Sequence, residues 1–415
     1  MTDRILAVSS IYPDANEPHQ GTFIHQRVRQ LAEQGFDVRV FKREHISLGS
    51  YLGAFKRVYR FYRSPKASSY SWDGLTIHRR KVHMVLPLNY AWSAPARTYR
   101  AIRPDIERIR KSFPFDLAYL ATWGDLPLAM SRIAREMGIP YVACAIGGHD
   151  NDYYDKPASL YYHFHRETYE NARLVICVSR DLSRKIQILT EGRANTFTFY
   201  SGVDTRAFAR DVSLRMEYRA RLGYSDAETV ILHVSRLEKT KGIYDLLRAF
   251  ARVASRHPSA RLLLVGPHAE RRRFRREIRK CGLEDKVKLP GPAPHAEIPG
   301  YMNAADVFVL ASWMEGLPNV VMEASACELP VVASAVGGIP ELVEEQKTGV
   351  LAPPRSPSDL AAKIEALLRA PEQATRMGRA GREKMLRDFN YDRNGAAVAE
   401  KIRQVLGHAP PWAAS

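Results

Sequence analysis

The sequence predicts an α/β protein in which helices cover parallel sheets, and three observations predict it. Short apolar runs of strand length alternate with helical patterns from one end of the chain to the other. At 415 residues the chain is too long for one ordinary core, which leads to two or three domains. Residues 306–343 read as two consecutive strand-loop-helix units, with Val307 to Leu310 as one buried strand and Val331 to Ala335 as the next.

In the first half the strand-like runs are Ile5 to Ser9, Val38 to Phe41, Leu75 to His78, Leu117 to Ala121, Tyr141 to Ala145 and Leu174 to Val178. The loop after the first of these, Ser10 to Phe23, leads into an amphipathic helix. Its Gly21 allows the backbone to come close to a ligand, although a lone glycine before a helix also serves as a plain turn. In the second half the runs are Val230 to Val234, Leu262 to Val265, Val287 to Leu289, Val307 to Leu310 and Val331 to Ala335. The boundary is expected between Ser201 and Arg210, where Ser-Gly-Val-Asp leaves the last apolar run and a polar, Arg-rich segment follows.

Chemistry concentrates in the loops that follow strands of the second half. After Val307 to Leu310 the chain turns through Gly316 into a helix opened by Pro318 and Asn319; after Val331 to Ala335, Gly337-Gly338 precedes a helix beginning near Pro340. In open parallel sheets, ligands sit beyond the carboxyl ends of strands, where unpaired helix amides attract anions. Two such ends side by side suit a diphosphate. Glu315 stands in the first of these loops and Glu323 inside the helix after it, and a carboxylate accepts hydrogen bonds from paired sugar hydroxyls. Arg236 and Lys241 bracket the loop after Val230 to Val234 and can meet two phosphates from one side. Fixed cations there favour a diphosphate that gains charge as it leaves.

These motifs resemble the signature of retaining glycosyltransferases of the GT-B fold, family 4. Its hallmark is Glu-x7-Glu (Glu315 and Glu323), then a Pro-Val-Val-Ala-Ser strand (Pro330 to Ser334) and a Gly-Gly-x-Pro-Glu turn (Gly337 to Glu341). The resemblance implies an α/β GT-B protein, two Rossmann-like parallel-sheet domains facing a central cleft. Residues 1–204 would bind the acceptor, 205–388 the nucleotide sugar, and a C-terminal helix within 389–415 would cross back to the first domain. That family usually has Asn-Gly-Val-Asp at the boundary, so Ser201 is a departure.

By the same resemblance Glu315 binds hydroxyls of the donor sugar and Glu323 the ribose. The amides around Leu317 to Val320 hold the distal phosphate, Gly316, Pro318 and Asn319 belong to the same donor-binding stretch, and Arg236 and Lys241 are the cations for the two phosphates. The loop Pro290-Gly291-Pro-Ala-Pro294 reads the nucleobase through main-chain groups, and the loop of Gly21 touches phosphate or acceptor. Gly147-Gly-His149-Asp150 matches a family motif, His-Gly-x-Asp, whose histidine lies near the reacting sugar. Here Gly147 stands at that place, so either His149 takes over or backbone carbonyls alone stabilise the oxocarbenium-like centre; Asp150 matches. The implied reaction is a front-face displacement with retention, in which the leaving phosphate takes the acceptor proton.

No metal and no cofactor are expected, because two cations and helix amides neutralise the diphosphate. No Asp-x-Asp stands at a strand end of the second domain, and Asp150-Asn-Asp152 lies in the first. The expected donor is a UDP-hexose, with GDP-mannose second, and the expected acceptor is a glycan or lipid-linked glycan of surface polysaccharide or glycolipid synthesis. An epimerase or phosphorylase of the same fold is the nearest rival. An ordinary dinucleotide oxidoreductase is disfavoured, since neither Ser9 to Gly21 nor Val234 to Gly242 spells Gly-x-Gly-x-x-Gly.

Net charge is +17, and between Lys42 and Lys111 there are 16 Lys and Arg against 4 Asp and Glu. Within that region, Tyr51 to Arg63 places Leu52, Phe55, Val58, Tyr59 and Tyr62 on one helical face with Lys56, Arg57, Arg60 and Arg63 on its flanks. The pattern fits a helix on an anionic membrane and equally an amphipathic helix packed on its own domain. A second basic run, Arg271 to Lys280, is expected to be a solvated face; it lacks interleaved aromatics, and no nucleic acid partner is expected. With no bilayer-length apolar run and no secretory pattern in Met1 to Ser10, the expected place is the cytoplasm, with peripheral contact on the inner membrane face left open. Cys144, Cys177, Cys281 and Cys327 are too scattered for a disulfide framework or a zinc site.

Overall fold

The computed structural model describes residues 2–18, 20–46, 67–83, 90–147, 156–157, 159–268 and 271–407. His149, Asp150 and the segment 51–63 lie outside the described residues. The chain divides into two compact units, one of Met1–Phe199 with Gly395–Ser415 and one of Tyr200–Asn394.

Among the described residues the first unit holds eight strands: β1 (Arg4–Ser9), β2 (Asp37–Ile46), β3 (Ala67–Trp72), β4 (Leu75–His83), β5 (Leu117–Leu120), β6 (Tyr141–Ala145), β7 (Leu174–Cys177) and β8 (Thr196–Thr198). They form one sheet in the order β3-β4-β2-β1-β5-β6-β7-β8, parallel except at the β3-β4 hairpin. That hairpin is a correction to the sequence reading, which placed a strand only at Leu75 to His78. Its turn is Asp73-Gly74, both with positive φ, the geometry that two-residue hairpins favour.

β2 also runs past the expected end at Phe41. Lys42 and Arg43, each 1% exposed, extend it. Lys42 reaches Asp14 at 2.8 Å, and Arg43 grips Asp125 with two nitrogens at 2.6 and 3.0 Å. Burial of consecutive cations is tolerated because each has its own carboxylate. The C-terminal helix Tyr391–Val405 sends Val398, Ala399 and Ile402 into the apolar core of this unit.

Among its described residues the second unit has six parallel strands: β9 (Thr229–Val234), β10 (Ala260–Val265), β11 (Val287–Gly291), β12 (Val307–Leu310), β13 (Val331–Ser334) and β14 (Gly349–Ala352). Their order is β11-β10-β9-β12-β13-β14. Helices cover both faces, so the strands read as continuous apolar runs rather than alternating ones. In β9, Val230, Leu232 and Val234 enter one core and Ile231 the other. The order changes direction between β9 and β12, the place where ligands bind in doubly wound sheets.

Among the described residues no helix is long and apolar enough to cross a membrane. The four cysteines are free thiols. Burial pushes Cys144 up to about 11, and Cys177 and Cys327 up to about 12, so they serve as small apolar side chains.

Candidate functional site

In the second unit five loops at the carboxyl ends of strands are stitched to one another. The loop after β9 contains a short 3₁₀ turn, Lys239–Lys241, whose Thr240 carbonyl accepts from the Trp313 amide beyond β12 at 2.9 Å. Trp313 is fixed on its other side by an indole hydrogen bond to Asp245 at 2.7 Å, and the Arg355 guanidinium lies 4.5 Å over its ring. The amide of Gly266, after β10, donates to the Gly291 carbonyl at the end of β11 at 2.9 Å. The Gly338 amide, after β13, donates to Gly316 after β12 at 2.8 Å.

Gly337 shows why the double glycine is needed. Its φ is 55°, and a Cβ there would collide with the carbonyl oxygen of Glu315. Only a residue without a side chain lets the β13 loop lie this close under the β12 loop.

Both signature carboxylates are buried, Glu315 at 7% and Glu323 at 5% exposure, and each meets a basic side chain from another strand's loop. Lys241 donates to Glu315 Oε1 at 2.7 Å, and the Ser312 hydroxyl donates to the same oxygen at 2.6 Å. Glu323, on the helix Asn319–Ala326, lies 2.9 Å from Nε2 of His295, in the loop after β11. The Glu323 carboxylate raises the pKa of His295 above its ordinary value.

Under this layer sits His233 of β9. It is fully enclosed, 2.9 Å from the Val309 carbonyl through Nδ1 and 2.6 Å from Ser235 Oγ through Nε2. Desolvation pushes it down to about 4, so the imidazole is neutral.

Of the residues singled out from sequence, Glu315, Gly316 and Lys241 are brought together, and Gly291 lies in the loop that leads to His295 and so to Glu323. The side chain of Arg236 is 64% exposed and pairs with Glu238 at 3.1 Å. Leu317 and Val320 pack partly on the core. Pro318 caps the helix that Asn319 begins, one residue later than the sequence pattern suggested. Gly21 belongs to the first unit, in the turn that precedes the helix Thr22–Glu33. Its φ is 70°, and a Cβ would come within 2.7 Å of the Ile11 carbonyl, so the close approach there is made by the chain's own backbone.

Sequence reasoning missed Ser312, His233, Trp313 and His295. The last had a visible signal, since His295 directly follows the Pro290 to Pro294 run. Among the described residues no group of three or more His, Cys, Asp or Glu side chains is placed to hold a metal ion.

Residues 215–384 match the family of glycosyl transferases group 1, and residues 20–195 match the glycosyl transferase 4-like domain. The GDP-mannose-dependent alpha-(1-6)-phosphatidylinositol monomannoside mannosyltransferase of Mycolicibacterium smegmatis is 31% identical over 284 residues, 66% of this chain and 74% of the relative. For the protein of the same name from Mycobacterium tuberculosis the figures are 34% over 209 residues, 49% of this chain. That match covers 54% of the relative, so the chain spans about half of its length.

In fold, the chain is similar to sucrose-phosphate synthase from Thermosynechococcus elongatus, with a TM-score of 0.76 over 98% of this chain and 99% of the other at 22% identity. It is also similar to Anabaena HepE in complex with UDP, at 0.70 over 97% of this chain and 100% of the other with 21% identity. Two parallel-sheet units, the linked strand-end loops and these matches together make the chain a member of the group 1 glycosyltransferases, family 4, with the GT-B fold.

Proposed function

We propose that the protein transfers a hexosyl unit, with retention and without a metal ion, from a nucleotide-diphosphate sugar to a glycan or lipid-linked glycan. The observation that carries this reading is the pairing at the strand ends: Glu315 with Lys241 and Glu323 with His295, both carboxylates buried. A buried carboxylate that faces sugar or ribose hydroxyls needs a fixed orientation, and a partner from a different strand supplies it.

In this reading Glu323 takes the ribose hydroxyls and Glu315 those of the donor sugar. Lys241, Arg236 and the first amides of the helix Asn319–Ala326 carry the diphosphate charge. As the bond from the anomeric carbon to the phosphate oxygen breaks, both its electrons go to that oxygen. The acceptor hydroxyl attacks from the same face and passes its proton to the departing phosphate. Lys241 and Arg236 do the charge stabilisation otherwise assigned to a metal.

For the donor, the GDP-mannose dependence named for the mycobacterial relatives supports GDP-mannose, and the UDP bound in the HepE structure supports a UDP-sugar. The lipid acceptor in the relatives' name supports action at a membrane face. The test is transfer to a lipid-linked acceptor from GDP-mannose and from UDP-glucose with EDTA present, with the anomeric configuration of the product read by NMR. Transfer from one donor with its configuration kept is the expected result; inversion, or dependence on a divalent ion, contradicts the mechanism.

A further inference from the structure

The basic helix Arg271–Lys280 lies on the second unit, and seven of its ten residues are Arg or Lys against one Glu. Its two apolar side chains, Phe274 and Ile278, point inward and are buried. Everything this helix turns outward is therefore polar. Glu277, the single acid, is spent on Lys280 at 2.9 Å; that hydrogen bond holds its carboxyl below the ordinary range, with Arg248 and Arg273 adding to the effect.

Arg248 belongs to the neighbouring helix Ile243–Arg256, and Arg252 stands one turn after it on the same face. The two helices are joined where Arg273 stacks at 5.4 Å on Tyr244, whose ring also meets Phe274 at 6.0 Å. Arg252, Arg272, Arg275, Arg276 and Arg279 are exposed, and among the described residues none of them has an ion-pair partner within 4 Å. These five guanidiniums on two adjoining helices form a broad cationic face.

We propose that this face is a docking surface for an anionic phospholipid bilayer. Guanidinium suits phosphate because its planar fork makes two hydrogen bonds to one group. With no apolar side chain turned outward on the basic helix, attachment is electrostatic and does not involve insertion into the acyl layer. With Phe274 turned inward, the helix also offers no stacking platform for the bases of a single strand, which favours the bilayer over nucleic acid. The inference deepens the membrane part of the proposed function, and it assigns the contact to the donor-binding unit. Its test needs no donor, so it stands or falls separately from the chemistry.

The whole chain is sedimented with phosphatidylcholine vesicles, with and without phosphatidylglycerol, at low and moderate salt. Binding is expected only with phosphatidylglycerol and is expected to weaken as salt rises. At about 1 kcal/mol for each basic residue at such a surface, the combined variant Arg272→Glu, Arg276→Glu, Arg279→Glu loses about a hundredfold or more in affinity. The combined variant Arg184→Glu, Arg376→Glu, Arg379→Glu has the same change in net charge on other exposed sites and keeps most of the binding. Circular dichroism melts confirm that both variants are folded. Equal loss in the two variants, binding without phosphatidylglycerol, or no binding at all overturns the proposal. Tighter binding to a duplex oligonucleotide, lost in the first variant, overturns it in favour of nucleic acid.

Discussion

Lys241 and Glu315, 74 positions apart in sequence, form an ion pair of 2.7 Å that ties the loop after β9 to the loop after β12. The pair holds one expected phosphate ligand against one expected sugar ligand, so a diphosphate and its sugar can be read as one unit. Lys241→Met leaves the Glu315 carboxylate buried without its ammonium, a loss expected to cost about 1–3 kcal/mol of stability. Glu315→Gln in the same background should cost much less than it does alone. Urea denaturation of both single variants and the double variant measures this, and purely additive effects would contradict a working pair.

His295 and Glu323 predict a pH dependence. The folded pKa of His295 is raised by Glu323. The pair's stabilisation is therefore complete below the unfolded value of about 6.5 and is lost as pH rises through the higher folded value. Because His295 holds this carboxylate in the orientation that the ribose needs, nucleotide affinity falls across that same window. Titration calorimetry with free GDP and UDP should show the fall in the native chain and a flat profile in His295→Ala. NMR should show the His295 pKa falling in Glu323→Gln.

The buried His233 has the opposite sign. Its pKa is pushed down to about 4, so its contribution is whole above about pH 6.5 and is lost as pH falls toward 4. By pH 4 the loss reaches about 3 kcal/mol from this group alone. His233→Gln should flatten the acid side of the stability curve by up to one proton, measured as denaturation free energy against pH. An unchanged slope would mean that the imidazole is protonated in the fold.

Gly337→Ala puts a methyl group against the Glu315 carbonyl in a backbone conformation that L-residues rarely adopt. A loss of about 1–3 kcal/mol is expected, with weakened nucleotide binding because the Glu315 loop must move. Gly35→Ala also has positive φ but meets nothing within 4 Å, so it reports the backbone cost alone. Equal melting points for the two variants would show that the close approach does not matter.

The parallel strands were legible because burial on both faces leaves continuous apolar runs, as in Val307 to Leu310. The loops that follow them were legible because glycines, prolines and carboxylates gather there. The extension of β2 was not, since Lys42 and Arg43 look like solvated residues until Asp14 and Asp125 are seen beside them. β3 (Ala-Ser-Ser-Tyr-Ser-Trp) carries no strong apolar pattern and is defined by its pairing with β4. β8, at three residues, is too short to leave a periodic signal. In the site, residue types could be read but partners could not: nothing local links Lys241 to Glu315 or His295 to Glu323, because those contacts exist only once separate strands lie side by side.

The central claim is that the strand-end loops of the second unit bind a nucleotide diphosphate through side chains and without a metal. Calorimetric binding of GDP and UDP in EDTA, compared among the native chain, Glu323→Ala and Arg236→Ala, tests it most directly. Binding of one nucleotide by the native chain, weakened at least tenfold in both variants while their melts confirm folding, is the predicted result. Native binding that both folded variants retain in full, or binding that appears only when a divalent ion is restored, would contradict it.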